Sequence, residues 1–189
     1  MRSGAFDEFG RPRVAQFWEC QFLHRTSGSR DVAGQVLLLP PPGLDRLPKV
    51  PLTEPTRRER LESETELFGY TVSGHPLELH DDIAWHSYCP VSKLGEHVGE
   101  RVVMCGLVVE QRVHHQITGE PMKFLSLADW TGIVETELFA KTYRSYGLAT
   151  VRYPVLEIEA SVEAFENQRG FSLRVIRAGK PRTSRYPAP

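Results

Sequence analysis

The sequence predicts a mainly β protein built around a five-stranded barrel. Turn sequences follow the first two of its β-forming runs, Thr-Gly-Glu-Pro at 118–121 and Asp-Trp-Thr-Gly at 129–132. A short helical segment at 141–146 separates the third run from the fourth. Three strands, a helix and two strands is the order of the OB-fold, whose second and third strands form a surface for oligonucleotides. The five runs are 102–113, 122–128, 133–139, 155–164 and 171–178.

The residues before the barrel predict two helices separated by a proline-rich linker. An apolar stripe with helical spacing begins at Val14, and Pro12 suits the first turn of that helix. Thr56 and Glu59 form a capping-box sequence, which predicts a second helix that ends near Gly69. The predicted parts are a helical segment at 1–30, a linker at 31–55, a capped helix with a connecting segment at 56–98, the barrel at 99–178 and a disordered tail at 179–189.

Composition and charge narrow the classes of function. The chain is 40% hydrophobic and 25% charged, and it has no apolar run of the roughly 20 residues that span a membrane. Since its start also lacks the apolar core of a secretory signal, we expect a cytoplasmic protein. The net charge of −1 indicates that any affinity for nucleic acid is modest. Three widely spaced cysteines argue against disulfides and structural zinc, and we predict no catalytic residues, metal ligands or cofactor.

The second predicted strand carries the strongest candidate for binding. Side chains alternate between the two faces of a strand, and Leu125 and Leu127 share the phase expected for the core. Phe124 has the opposite phase, where its ring could stack on a nucleobase for about 1–3 kcal/mol. Arg112 would add positive charge, as would Lys123 if its long side chain reached round from the turn. The other predicted contacts are Met122 and Ser126 on the outward phase, Glu135 as an acceptor for base amino groups, and His114 and His115 in the loop between the first two strands.

Three separated motifs occur in the order found in a known family. They are MRSGAFDEFGRPR at the start, GYTVSGHPL in the middle and MKFLSLADWTGIVETELFAKTY in the barrel. With them, residues 3–178 resemble the C-terminal part of the bacterial DNA polymerase III alpha subunit, a family C polymerase in which an OB domain follows a helix-hairpin-helix region. The resemblance implies a module that binds single-stranded DNA during replication. It also implies that the module binds other components of the polymerase III holoenzyme. The catalytic aspartates of that family lie in a palm domain outside the matching stretch, so we expect no polymerase activity.

The predicted barrel also resembles the anticodon-binding OB domain of aspartyl-tRNA synthetases. The likeness rests on the Cys-Gly pair at 105–106 and the Asp-x-x-Gly-Ile-Val turn at 129–134. It implies that Phe124 stands in the place of the base-stacking phenylalanine and Arg112 in the place of the first-strand arginine. Glu135 stands where that family has a base-reading glutamine, which argues against the same sequence specificity.

Three classes of binding function remain open at this point. The leading interpretation is a non-catalytic module that binds single-stranded DNA and has neither a membrane partner nor a small-molecule substrate. The near-zero net charge keeps a second open, a module that docks to polymerase or clamp components without touching DNA. The third is a tRNA- or RNA-binding adaptor, which the likeness to anticodon-binding domains suggests.

Overall fold

The computed structural model describes residues 2–27, 53–165 and 170–184, with the backbone alone for 22–27. The chain divides into two compact units, Met1–Leu79 and His80–Pro189. Most of the predicted linker and the end of the predicted tail lie outside the described residues, and within the described ranges no helix is long and apolar enough to cross a membrane. The helices and strands are α1 (Arg13–Ser27), α2 (Arg57–Phe68), β1 (Arg101–His115), β2 (Pro121–Ala128), β3 (Ile133–Leu138), α3 (Ala140–Tyr146), α4 (Ala149–Arg152), β4 (Val155–Ala164) and β5 (Phe171–Gly179).

The first unit contains the two helices that precede the barrel. Pro12 stands one residue before α1, and its carbonyl accepts a hydrogen bond from the Gln16 N–H at 3.0 Å. The predicted capping box of α2 is present, because the Thr56 hydroxyl accepts from the Glu59 N–H while the Glu59 carboxylate accepts from the Thr56 N–H at 2.7 Å. Gly69 ends α2 with a φ of 81°, a left-handed conformation that glycine adopts without steric penalty. The predicted start and end of this helix are confirmed.

A buried carboxylate fastens the loop that follows α2. Glu64 is 1% exposed and accepts hydrogen bonds from the backbone N–H groups of Val72 at 2.8 Å and Ser73 at 2.9 Å. Burial opposes ionisation of this side chain, but the two hydrogen bonds and the charge of Arg13 outweigh it, so the pKa of Glu64 is lowered. The ionised Glu64 carboxylate therefore holds the loop in place.

The second unit is a closed five-stranded barrel with the strand order β1-β2-β3-β5-β4. Neighbouring strands are antiparallel except β3 and β5, which run parallel. Leu107 closes the barrel, because β1 pairs there with Ala128 on β2 and with Val155 on β4. Helix α3 lies between β3 and β4 in the chain and contacts β2 and β5. This topology confirms the predicted OB-fold, and the short helix α4 is an addition to the predicted elements.

The interior of the barrel is apolar and contains side chains from all five strands. Leu125 and Leu127 are fully buried, which confirms the predicted inward phase of β2. Gly106 allows β1 and β2 to approach closely, because a Cβ atom there would lie 3.1 Å from the Ala128 carbonyl oxygen. Each fully buried aliphatic side chain of the barrel interior stabilises the fold by about 1.5–3 kcal/mol. The other large side chains that are fully buried in the barrel strands are Met104, Leu138, Leu156, Ile158, Val162 and Leu173.

The turn between β2 and β3 holds the segment that leads into the barrel. Asp129 is buried, and its Oδ1 accepts hydrogen bonds from the N–H groups of Thr131 at 2.6 Å and Gly132 at 3.0 Å. Its Oδ2 accepts from the N–H of Val91 at 2.8 Å, at the start of a 3₁₀ helix that precedes β1. The Asp-Trp-Thr-Gly sequence is therefore both a turn and a tether.

The segment after β5 also packs against the residues that precede β1. Tyr88 donates from its hydroxyl to the Glu157 carboxylate at 2.5 Å and accepts from the Arg182 N–H at 2.7 Å. Burial, followed by the hydrogen bond to Glu157, raises the pKa of Tyr88. Thr183 forms a β-bridge with Ile83. The first residues of the predicted tail thus pack against the segment before β1.

Candidate nucleic-acid interface

A row of paired residues crosses four strands on the outer face of the barrel. Arg112 on β1 pairs with Phe124 on β2, and Phe124 pairs in turn with Glu137 on β3. Glu137 pairs with Arg174 on β5. Paired residues on adjacent strands point to the same face of a sheet, so these four side chains lie side by side. The row has an exposed cation at each end, with a half-buried aromatic ring and a half-buried carboxylate between them.

A second row lies next to the first and is polar along its length. Glu110 on β1 pairs with Ser126 on β2, and Ser126 pairs with Glu135 on β3. The Ser126 hydroxyl donates a hydrogen bond to Oε1 of Glu135 at 2.7 Å. This bond holds the Glu135 carboxylate near the Phe124 ring, because Ser126 lies two residues after Phe124 on the same face of β2.

Residues of both rows on β1, β2 and β3 line a shallow concavity of about 330 Å³. Phe124 supplies its aromatic surface, and the remaining lining is polar or charged. A planar ring the size of a nucleobase can enter a space of this kind and stack on the phenylalanine. Four of the eight predicted contact residues line the concavity together. The lining residues are Glu110, Gln111, Arg112, Phe124, Ser126 and Glu135.

The two cations of the face are each balanced by a nearby carboxylate. Arg112 donates to Oε1 of Glu110 at 2.7 Å. Arg174 lies 3.5 Å from the Glu163 carboxylate, and its guanidinium is 4.6 Å from the centre of the Phe139 ring. Exposed ion pairs of this kind contribute about 0–1 kcal/mol, so phosphate can compete for both arginines. The two rows together hold two arginines and three glutamates, so the face as a whole is not cationic.

Two predicted contacts lie away from this surface. Lys123 is 4% exposed, and its ammonium group donates to Thr150 Oγ1 at 2.7 Å and lies 5.9 Å from the centre of the Tyr143 ring. Burial lowers the pKa of Lys123. The expectation that this side chain reaches round to the outer face is therefore corrected, because it keeps the inward phase of β2 and is hydrogen-bonded at α4. Met122 has the outward phase, yet it is 7% exposed and offers little surface.

The two histidines lie at the end of β1, and not in the predicted loop, and they point to different faces. His114 pairs with Met122 and has the phase of Arg112, so it extends the outer face towards the hairpin turn. His115 pairs with Pro121 and has the opposite phase. Both are exposed, and the turn beyond them is closed by a hydrogen bond from the Gln116 N–H to the Glu120 carbonyl at 2.9 Å.

Sequence reasoning missed Arg174 as a member of this face. Its place depends on the parallel pairing of β3 with β5, which brings it beside Glu137. The local signal was the alternation within the fifth strand, where Arg174 lies between the buried residues Leu173 and Val175. That alternation identifies an outward residue without saying which strand is its neighbour.

Fold and face together define the class, an OB-fold barrel with a candidate interface for nucleic acid. In sequence the chain is similar to DNA polymerase III subunit alpha, which confirms the predicted resemblance. That subunit from Aquifex aeolicus is 31% identical over 94 residues, 49% of this chain and 8% of the relative. The one from Pseudomonas fluorescens is 30% identical over 127 residues, 66% of this chain and 11% of the relative. The one from Thermus aquaticus is 28% identical over 188 residues, 93% of this chain and 14% of the relative.

The chain thus spans 8–14% of the length of these relatives. No protein-family model matches it. Among solved structures, asparaginyl-tRNA synthetase from Pyrococcus horikoshii has a TM-score of 0.39 at 19% identity, over 54% of this chain and 24% of that chain. A small single-stranded DNA binding protein from Mycoplasma pneumoniae has a TM-score of 0.32 at 10% identity, over 46% and 97%. Likenesses this weak carry no argument about function.

Proposed function

We propose that this chain is a non-catalytic OB-fold module of a DNA polymerase III alpha subunit that binds single-stranded DNA during replication. The observation that carries the proposal is the position of Phe124, an outward aromatic ring inside a concavity on the outer face of β1, β2 and β3. The similarity to DNA polymerase III subunit alpha supports DNA, in preference to RNA, as the nucleic acid that is bound. Binding to other components of the polymerase III holoenzyme and a cytoplasmic location belong to the same proposal.

The proposed binding is modest, and its stacking component is available to every base. Stacking of one base on Phe124 provides about 1–3 kcal/mol, and every base has a face that can stack. Arg112 and Arg174 stand at the two ends of the row, where a strand that crosses the face would place phosphates. Glu135 and Glu137 lie between them and repel phosphate, so the backbone contacts are confined to the edges.

Titration of the whole chain with labelled oligonucleotides at several salt concentrations tests this function. Oligo-dT, oligo-U and a duplex of equal length separate the candidate classes. Binding to oligo-dT that exceeds binding to the duplex, with a slope of log affinity against log salt of about −0.7 to −1.4, is the expected result for one or two neutralised phosphates. A clear preference for oligo-U would favour the RNA adaptor. Absence of binding to all three would contradict the proposal and favour docking to another protein.

A further inference from the structure

The concavity around Phe124 is lined by two carboxylates, of Glu110 and Glu135, and by one guanidinium, of Arg112. The Ser126 hydroxyl is already engaged, because it donates to Oε1 of Glu135. Among the residues that the structure describes, Oε2 of Glu135 has no hydrogen-bond partner. On the opposite side, Oε1 of Glu110 accepts from the Arg112 guanidinium. A base stacked on Phe124 therefore meets a fixed carboxylate oxygen on its β3 side.

We propose that this concavity selects a nucleobase with an exocyclic amino group (cytosine, adenine or guanine) over uracil and thymine. The inference rests on the proposed function and names the kind of base that the site takes. An ionised carboxylate only accepts hydrogen bonds. Cytosine presents an N4 amino group, adenine an N6 amino group and guanine an N2 amino group. Uracil and thymine have no amino group, and their one ring donor, N3–H, lies between two carbonyl oxygens that repel a carboxylate. Glu135 therefore favours the three bases with an amino group over uracil and thymine.

The placement of the single cation in the concavity agrees with this selection. Arg112 lies on β1 beside Phe124, whereas Glu135 lies on β3 in the neighbouring row, diagonally across β2 from Arg112. Its guanidinium is held by Glu110, and its side chain is 73% exposed at the outer end of the row. It is therefore placed for a phosphate, while Glu135 is left to meet the edge of the base. Glu110 and Glu135 together outweigh the one positive charge, so the site as a whole favours donors.

Oligo-dC and oligo-dU of the same length make the sharpest comparison, because their bases differ only at the N3–C4 edge. Fluorescence anisotropy with the whole chain at pH 7.5 gives the ratio of their dissociation constants. We expect the wild-type chain to bind oligo-dC about three- to tenfold more tightly, which corresponds to one charge-assisted hydrogen bond. In Glu135→Gln the amide oxygen can still accept from Ser126, and the ratio should fall to about one because the amide offers donors as well as an acceptor.

Glu96→Gln is the matched control. It removes the same charge from an exposed residue of the 3₁₀ helix at Val91–His97, which does not line the concavity. It should tighten binding of both oligonucleotides slightly and leave their ratio unchanged. Thermal unfolding of each variant confirms that the barrel is folded.

Each result separates this inference from the function on which it rests. Equal binding of oligo-dC and oligo-dU by the wild-type chain would overturn the selection and leave single-strand binding intact. A cytosine preference that persists in Glu135→Gln would overturn the role of this carboxylate. Failure of both oligonucleotides to bind would remove the proposed function itself, and the selection with it.

Discussion

Lys123 has an environment that is unusual for a lysine, and it bears directly on the binding surface. The side chain is almost completely buried, and its named contacts are a threonine hydroxyl and an aromatic ring. Neither Thr150 nor Tyr143 carries a compensating negative charge, so desolvation of the ammonium group is only partly offset. Lys123 contributes to the contact of β2 with α4, and it contributes no positive charge to the outer face.

Replacement of Lys123 by Met tests this assignment through stability. Met fills a similar volume and needs no hydrogen bond, so the free energy of unfolding at pH 7 should stay within about 1 kcal/mol of the wild type or increase. The folded-state pKa of Lys123 is lowered, so the unfolded wild-type chain holds one more proton between that pKa and about 10.4. The wild type should therefore gain stability as the pH rises through this range, whereas Lys123→Met should lack this component.

Denaturant unfolding of both proteins at pH 7 and pH 9.5 measures the two effects. Binding to oligo-dT should be unchanged in Lys123→Met. Loss of single-strand binding by a folded Lys123→Met would show that this ammonium group does reach the nucleic acid.

Strands and turns illustrate how far local sequence determines the elements. The alternation in β2 predicted the inward phase of Leu125 and Leu127. The capping box predicted the start of α2, and Gly69 predicted its end. Helix α4 escaped prediction, because four residues are too few to show a helical period. The contribution of β5 to the outer face also escaped, since it depends on a parallel pairing between strands that are far apart in the chain. The local sequence pattern predicts which face of a strand each side chain occupies. Pairing between distant parts of the chain determines which strands are neighbours.

Asp129 is the residue on which the β2–β3 turn most depends. Its carboxylate accepts three backbone hydrogen bonds within a buried turn, and removal would leave those N–H groups without their partner. We expect Asp129→Ala to lower the free energy of unfolding by about 2–4 kcal/mol. Asp129→Asn keeps one acceptor oxygen and should lose less. Denaturant unfolding measures both, and an Asp129→Ala variant within 0.5 kcal/mol of the wild type, roughly the effect of an ordinary surface substitution, would contradict the tether.

Arg174 tests whether β5 belongs to the binding face. Arg174→Ala removes the cation at the β5 end of the row and should reduce affinity for oligo-dT, with a salt slope that is smaller by about 0.7. Arg177→Ala is a matched control on the same strand, because Arg177 is exposed and pairs with Glu159 on β4 instead of with β3. Equal salt slopes in the two variants would restrict the face to the first three strands.

At the scale of the whole molecule, the distribution of charge matters more than its total. The net charge of −1 already indicated modest affinity, and the structure gives a reason, since each arginine of the face is paired with a carboxylate. The order of strands and helix sufficed to predict the barrel, and three motifs sufficed to predict the resemblance to DNA polymerase III subunit alpha. The concavity itself could not be predicted, because it combines residues from three strands whose register is set by the closed barrel.

The central claim is that the Phe124 ring binds nucleobases from the outer face and is not a core residue. Affinity of Phe124→Ala for labelled oligo-dT, measured by anisotropy beside its thermal stability, tests this directly. We expect a loss of about 1–3 kcal/mol in binding, roughly 5- to 150-fold, with little change in stability, because an outward side chain leaves no core cavity. Phe9→Ala removes an exposed ring from the first unit and should leave the affinity unchanged. A Phe124→Ala chain that unfolds, yet binds normally per folded molecule, would contradict the account.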